Sequence, residues 1–355
     1  MSQTHIWLRA ETKPQEQRTA LTPKGAKALI EAGFKVSVEQ GPQNIFNIEQ
    51  YRAMGCEIVA QGSWPQAPKS AFILGLKELP EDSFPLVHKH IYFAHAYKDQ
   101  AGANDILSRF KQGEGALYDL EFLVDENQRR IAAFGYWAGF AGAALGVWAW
   151  ANKQLGKTAL PPVSSFPDQE KLLNEVSALL AQCANKPNVM VIGAKGRSGS
   201  GALGLAKALQ LKTIEWDMEE TAVGGPFEQV NDADVLVNCV LVNQDLPPFV
   251  TLSSLDSAER NLSVICDVSC DPYGDYNPIR IYDHCTTFNN PTIEVLSPPN
   301  SLHLIAIDHL PSLLPKESSE DYGQQLVPYL ASLHDLSLPV WQKALDIYHQ
   351  KTTNL

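Results

Sequence analysis

Paired cysteines, an excess of positive charge and a high proportion of charged residues are all missing from this 355-residue chain. Its six cysteines (Cys56, Cys183, Cys239, Cys266, Cys270 and Cys285) are scattered, with no CxxC pair. Cys266 and Cys270 stand four apart, but no second pair completes a zinc site, so no metal is expected. The thiols read as buried side chains in a reducing, cytoplasmic compartment. Lys and Arg number 28 against 40 Asp and Glu, a formal net charge of −12. That balance argues against nucleic acid or an anionic membrane as partner of the whole chain. Charged residues are 19% and hydrophobic residues 45%, which excludes a disordered chain. The opening MSQTHIWLRAETKPQEQR is too polar for a signal peptide, and the closing TTNL is not a peroxisomal signal. Internal repeats are absent as well.

The length favours two domains. One long apolar run is present: Ile131 to Asn152 carries no charge and holds the glycine pairs Gly135/Gly139 and Gly142/Gly146. It is long enough to span a bilayer. A span would place its flanks, which read as parts of one α/β fold, on opposite sides of the membrane. The run is therefore expected to be a buried helix whose glycines admit another backbone, in a soluble protein without a membrane partner.

Short apolar runs alternate with helical patterns in both halves. Strands are expected at His5–Arg9, Phe34–Val38, Glu57–Ala60, Ala71–Leu76, Ile91–Ala94, Ala116–Phe122 and Arg130–Ala133. Thr22-Pro23 opens a helix that Gly33 stops, and Ile48–Met54 forms a second. After a looser stretch over Gly156–Asp168, an amphipathic helix runs from about Glu170 to Cys183. Further strands are expected at Val189–Ile192, Lys212–Trp216, Val235–Val240, Val264–Val268 and His303–Ile307. Helices at Leu326–Leu333 and Val340–Gln350 close the chain. Such alternation predicts parallel sheets covered on both faces.

Val189-Met-Val-Ile-Gly193-Ala-Lys-Gly196-Arg-Ser-Gly199-Ser-Gly201 runs from a buried strand through clustered glycines into an apolar-periodic helix. Glycines permit the tight turn and the close approach of a pyrophosphate, whose charge suits a helix N-terminus. The spacing is GxxGxxG rather than GxGxxG, and a plain glycine turn is the competing reading. Asp217 ends the next strand, 18 residues after Gly199, where an acid accepts hydrogen bonds from ribose hydroxyls. Met218-Glu219-Glu220 follow, and these carboxylates would repel a 2′-phosphate. NAD, rather than NADP, is the expected cofactor.

These residues resemble a known family. LRAETKP (Leu8–Pro14) with Arg18, TALTP (Thr19–Pro23), LGLKELP (Leu74–Pro80), FPLVHKHIYFAHAYKDQAG (Phe84–Gly102) and LYDLEFL (Leu117–Leu123) match it. So do RRIAAFGYWAGFAGAALGV (Arg129–Val147), GAKGRSGSGA (Gly193–Ala202), EWDMEET (Glu215–Thr221), GGPF (Gly224–Phe227), DVS (Asp267–Ser269) and IDHLPSLLP (Ile307–Pro315). The family is that of the NAD-dependent, lysine-forming saccharopine dehydrogenases, in the alanine dehydrogenase and transhydrogenase group. The resemblance implies an α/β fold of two Rossmann-like domains with parallel sheets and the active site in the interdomain cleft. Residues 1–134 with 313–355 would form the substrate domain and 135–312 the NAD domain, the glycine-rich helix crossing between them. It further implies oxidation of saccharopine with NAD and water to lysine, 2-oxoglutarate and NADH. The partners are then small molecules, and the chain is a monomer or weak homo-oligomer.

The family's acid–base residues correspond to Lys77 and His95, each expected at a strand end. Without the family pattern, His95 would read as a core histidine and Lys77 as a solvated lysine. Glu78 and Glu121 could tune the pair or be plain surface carboxylates. The resemblance gives substrate contacts to Arg18, Lys77, Gln100, Arg130, Phe134, Ser269 and Asp271. Arg suits carboxylates through its planar fork, and Lys98 is a further cation in a matching position. Arg129, Gly196, Arg197, Asp217, Thr221, Leu241, Val268, Ile307, Asp308, His309 and Leu310 match cofactor contacts. Arg129–Arg130 could also be a surface pair. Three positions depart from the pattern. Ser198 replaces a cysteine that fungal members can pair with the match of Cys239, Leu241 replaces a tyrosine, and Cys270 replaces a small residue. Other readings are an amino-acid or opine dehydrogenase with a different acceptor, and a silent NAD-binding regulator. A metal hydrolase built on His88, His90 and His95 lacks the accompanying carboxylate pattern.

Overall fold

The structure is a computed structural model that describes residues 3–98, 102–242, 245–353 and 355. The chain divides into two compact units, Met1–Ala133 with Pro315–Leu355, and Phe134–Leu314.

The first unit opens with β1 (His5–Leu8), α1 (Pro23–Glu31), β2 (Lys35–Glu39), α2 (Ile48–Ala53), β3 (Glu57–Val59) and β4 (Phe72–Leu74). β5 (Lys89–Tyr92), α3 (Ala103–Gly113) and β6 (Ala116–Asp119) follow. Thr22 caps α1 by accepting from the Gly25 N–H at 3.1 Å, with Pro23 at the first helical position. The strands form one parallel sheet in the order β3-β2-β1-β4-β5-β6. The order reverses between β1 and β4. The loops that leave the carboxyl ends of those strands therefore diverge to opposite faces and open a crevice.

The second unit contains α4 (Gly135–Gln154), α5 (Gln169–Leu180), β7 (Asn188–Ile192), α6 (Arg197–Ala208), β8 (Lys212–Trp216) and α7 (Met218–Thr221). β9 (Val235–Asn238), β10 (Val264–Asp267), β11 (Ile293–Leu296) and β12 (Leu302–Ile305) complete its sheet, ordered β11-β12-β10-β9-β7-β8. Here the order reverses between β7 and β9. The chain then returns to the first unit through α8 (Pro315–Leu330) and α9 (Pro339–Thr352). Core residues of α4, α5 and α6 cover one face of the second sheet, and a cluster around Phe227, Phe249 and Ile279 covers the other.

α4 is the apolar run. The helix expected to cross between domains lies in full within the second unit, packed on α6, β9 and β10. Among the described residues, no helix is long and apolar enough to cross a membrane.

The structure corrects several expectations. Arg130–Ala133 is not a strand. The Asp125 carboxylate accepts from the N–H groups of Asn127 and Arg129 at 2.8 and 2.9 Å, closing a turn, and one bridge, Val124 to Arg130, is all that forms. The second sheet is not wholly parallel, because β11 pairs antiparallel with β12 at the edge, with an irregularity between Glu294 and Leu296. α3 was not expected; its apolar stripe of Ala103, Leu107 and Phe110 is spread through polar residues. α8 starts at Pro315, well before Leu326; its first turns bury the small residues Ser318, Ser319 and Gly323 together with Tyr322, which leaves no repeating apolar stripe to read.

Candidate active site

In the first unit, the candidate residues cluster at the carboxyl ends of the strands. Lys77 and His95 do not end strands as expected. Each lies three residues beyond, after β4 and β5, in loops joined by the Phe93 N–H donating to the Leu76 carbonyl at 3.1 Å. His95 has a φ of +50°, in the left-handed region that few non-glycine residues occupy.

Two buried residues hold the backbone of Lys77. The Glu11 carboxylate accepts from the N–H groups of Leu76 and Lys77 at 2.6 and 2.9 Å. Arg9 donates to the Lys77 carbonyl and lies 3.6 Å from Glu11. Burial pushes the Glu11 carboxyl up, against the pull of Arg9 and the two N–H groups. The Lys77 ammonium is held below its ordinary range, first by burial, then by the charge of Arg18, with Glu16 opposing. A lysine so placed gives up its proton more readily at neutral pH.

Arg18 is buried, and its Nε and Nη2 donate to the two oxygens of Glu16 at 2.8 and 2.7 Å. Burial alone would raise Glu16, but Arg18 and Lys77 hold it below the usual carboxylate range. Arg18 thus carries one of its faces already engaged, a partner that sequence reasoning missed.

Around His95, Nε2 lies 3.7 Å from Glu78 Oε1, while Glu78 Oε2 is 3.3 Å from Lys13. Burial would raise Glu78, but its own N–H, Lys13, His95 and Lys77 together lower it. Lys98 donates to Glu121 at 2.6 Å. Asp119, at the end of β6, accepts from the Glu121 N–H at 2.9 Å, which fixes the turn that carries Glu121. Sequence reasoning missed it. Arg129 and Arg130 are exposed in the turn before α4, and Phe134 is half-buried at the start of that helix. Gln100 lies outside the described residues. His88 and His90 point elsewhere: His88 Nε2 bonds the Ala67 carbonyl at 2.9 Å, and His90 is enclosed by Trp64, Phe110 and Tyr92.

Burial pushes the Asp119 carboxyl up to about 7. A carboxyl raised in the folded state adds stability that is complete below its unfolded value and is lost as pH rises through the folded one. The window therefore runs from about pH 4 to pH 7. Denaturant titrations should show the difference in unfolding free energy between the wild type and Asp119→Asn shifting by about 2–4 kcal/mol against the wild type across it. A difference that stays constant from pH 4 to pH 8 would refute this burial effect.

In the second unit, the glycine loop leaves β7 at the reversal of strand order. Gly193 has a φ of +85°, and a Cβ on Gly199 would sit 2.1 Å from the Gly193 carbonyl oxygen. Gly196 caps α6. The N–H groups of Gly193 and Ala194 donate to the Trp216 carbonyl at 2.8 and 3.0 Å, which ties the loop to the end of β8. Asp217 caps α7, and its carboxylate accepts from the Lys195 and Met218 N–H groups at 2.8 and 2.9 Å. Led by the Lys195 N–H, these bonds keep it below the usual carboxylate range. Thr221 is buried and its hydroxyl donates to the Asp217 carbonyl at 2.8 Å. Arg197 begins α6, and the glycine loop and Asp217 thus follow the ends of adjacent strands, β7 and β8.

The other expected cofactor positions divide by exposure. Leu241 is 66% exposed, and Val268 packs over Gly142. The side chains of Ile307 and Leu310 belong to the core, whereas Asp308 and His309 reach outward and bond each other at 2.5 Å. Ser269 and Asp271 are half-buried in the turn after β10.

Comparison with known proteins identifies the family. Residues 7–141 match a family model described as the alanine dehydrogenase/PNT N-terminal domain, and residues 226–353 match the corresponding C-terminal domain. The chain is 46% identical to a saccharopine dehydrogenase [NAD(+), L-lysine-forming] of Schizosaccharomyces pombe, over 99% of each chain. A protein of the same name from Emericella nidulans is 48% identical over 100% of this chain and 99% of its own length. An L-alanine dehydrogenase structure superposes with a TM-score of 0.69 at 17% identity, covering 99% of each chain, which shows the shared fold. The matches span both units, and the chain belongs to the family of NAD-dependent, lysine-forming saccharopine dehydrogenases.

Proposed function

We propose that this protein oxidises L-saccharopine with NAD and water to L-lysine and 2-oxoglutarate, reversibly and in a reducing, cytoplasmic compartment, as a monomer or weak homo-oligomer. The reading is carried by one observation: Lys77, with its proton affinity lowered, and His95 occupy joined loops at the carboxyl end of one sheet. NAD, when bound, accepts the hydride from the carbon that bears the secondary amine.

The residues of this chain supply proton transfer and grip. Lys77 and His95 take the proton from the amine so that it is neutral, then deprotonate the water that adds to the imine to give a carbinolamine. Arg18 and Arg130, with Gln100, Phe134, Ser269 and Asp271, hold the substrate carboxylates and backbone. Residues 1–134 with 313–355 form the substrate domain and 135–312 the NAD domain. Gly196 and Arg197 take the pyrophosphate, Asp217 the ribose. Arg129, Thr221, Leu241, Val268 and Ile307, Asp308, His309 and Leu310 complete the dinucleotide contacts.

The direct assay mixes the protein with lysine, 2-oxoglutarate and NADH and follows the loss of absorbance. Consumption should be rapid with NADH and far slower with NADPH. Asp217→Ser should raise the KM for NADH by about tenfold, the loss of a charged hydrogen bond. Absence of turnover with any pairing of amino acid and keto acid would end this reading, and a preference for NADPH would end the cofactor assignment.

A further inference from the structure

Cys270 and Cys285 are 15 residues apart in sequence, yet their sulfurs lie 3.5 Å from each other, and both are half-buried free thiols. Their approach is built into the fold. Cys270 follows β10 with a φ of +48°, and its N–H leans on Asp267 Oδ1 at 3.4 Å. The segment carrying Cys285 is pinned on both sides. Before it, the Tyr282 hydroxyl donates to Asp267 Oδ2 at 2.7 Å. After it, Thr286 exchanges bonds with Ala306: its N–H donates to the Ala306 carbonyl at 2.7 Å, and its hydroxyl accepts from the Ala306 N–H at 2.9 Å. Cys270 thus sits in the turn after β10, and Cys285 in the segment before β11 that bridges Ile307, just past β12, through Thr286.

We propose that Cys270 and Cys285 form a reversible dithiol site that reacts with small-molecule disulfides and, once linked, locks the turn after β10. A disulfide needs its sulfurs at about 2.05 Å. From 3.5 Å, about 1.5 Å remains to be closed. The oxidant is a low-molecular-weight disulfide, RSSR. The Cys285 sulfur loses its proton and attacks RSSR, forming a mixed disulfide and releasing one RSH. The Cys270 sulfur then loses its proton and displaces the second RS⁻, which is protonated to RSH. The sum is two cysteine thiols plus RSSR giving one cystine plus two RSH. Burial, then the neighbouring Cys285 and the charges of Asp267 and Asp308, hold the Cys270 proton firmly.

Ser269 and Asp271 flank Cys270, so the link would constrain a turn that the proposed function gives to substrate; this consequence rests on that function, whereas the chemistry does not. The experiment incubates the full chain with oxidised glutathione at pH 8, alkylates the remaining thiols, digests the protein and reads peptides by mass spectrometry. The expected product is a peptide pair joined through Cys270 and Cys285, lacking both alkyl groups and reversed by dithiothreitol. The linked protein should show a severalfold higher KM for saccharopine, restored on reduction. Stable glutathione adducts on both cysteines, or alkylation of both, would overturn the dithiol site. A complete link with an unchanged saccharopine KM would overturn the locking of the turn. A protein inactive before oxidation that still forms the link would instead count against the proposed function and leave the dithiol chemistry supported.

Discussion

Lys77→Met and His95→Gln should each slow saccharopine oxidation by a factor of about 10²–10⁴, the span ascribed to a positioned acid–base group. Both side chains leave the same sheet edge, but their surroundings differ. Lys77 is held below the ordinary lysine range by burial first and by Arg18 next, so part of it is neutral nearer to physiological pH. His95 is 41% exposed at its side chain and faces Glu78. The wild-type profile of kcat/KM should therefore be bell-shaped, with its basic limb lying below the ordinary lysine value of 10.5. Removing Lys77 should flatten the basic limb, while NADH binding, followed by fluorescence, stays intact in both variants. If both variants turn over at wild-type rates, the acid–base pair lies elsewhere.

Gly139→Ala and Gly201→Ala should cause the largest loss of stability of any single-methyl change considered. α4 and α6 cross backbone to backbone. A Cβ on Gly139 would lie 1.7 Å from the Ser198 carbonyl oxygen, and one on Gly201 would lie 1.8 Å from the Tyr136 carbonyl oxygen. Backbone cannot rotate away as a side chain can, so the helices must separate and lose the packing between them. A loss of about 3 kcal/mol or more is expected, lowering the melting temperature of the second unit by roughly 6–12 °C. Gly146→Ala provides the contrast, because its Cβ would meet the Val235 side chain at 3.0 Å, and that side chain can shift. Calorimetry should rank Gly146→Ala well above the other two. Equal melting temperatures for all three would mean that the helix crossing is not where the glycines are needed. Since Ser198 lies in the first turn of α6, directly after the glycine loop, Gly139→Ala should also weaken NADH binding.

The Asp119 effect and these glycine effects lie in different units, so they should combine additively.

Some of this molecule is written locally in the chain. The glycine turn of Gly193, Gly196 and Gly199, the Thr22-Pro23 helix start and the buried helix rich in glycine and alanine each depend on neighbours within a few residues. Backbone freedom, capping and apolar periodicity act over that range, and long family blocks added Lys77, His95 and Asp217. The charged framework beneath them is different. Glu11 grips a backbone 66 positions away, and Lys98 meets Glu121 across 23. Along the chain, each is one more polar residue among many. The sheet order, which brings the loops after β1, β4, β5 and β6 to one edge, decides which of these charges are buried and what they bind. Burying a charge is tolerable where a distant segment supplies its partner, and that partner is chosen by folding rather than by spacing.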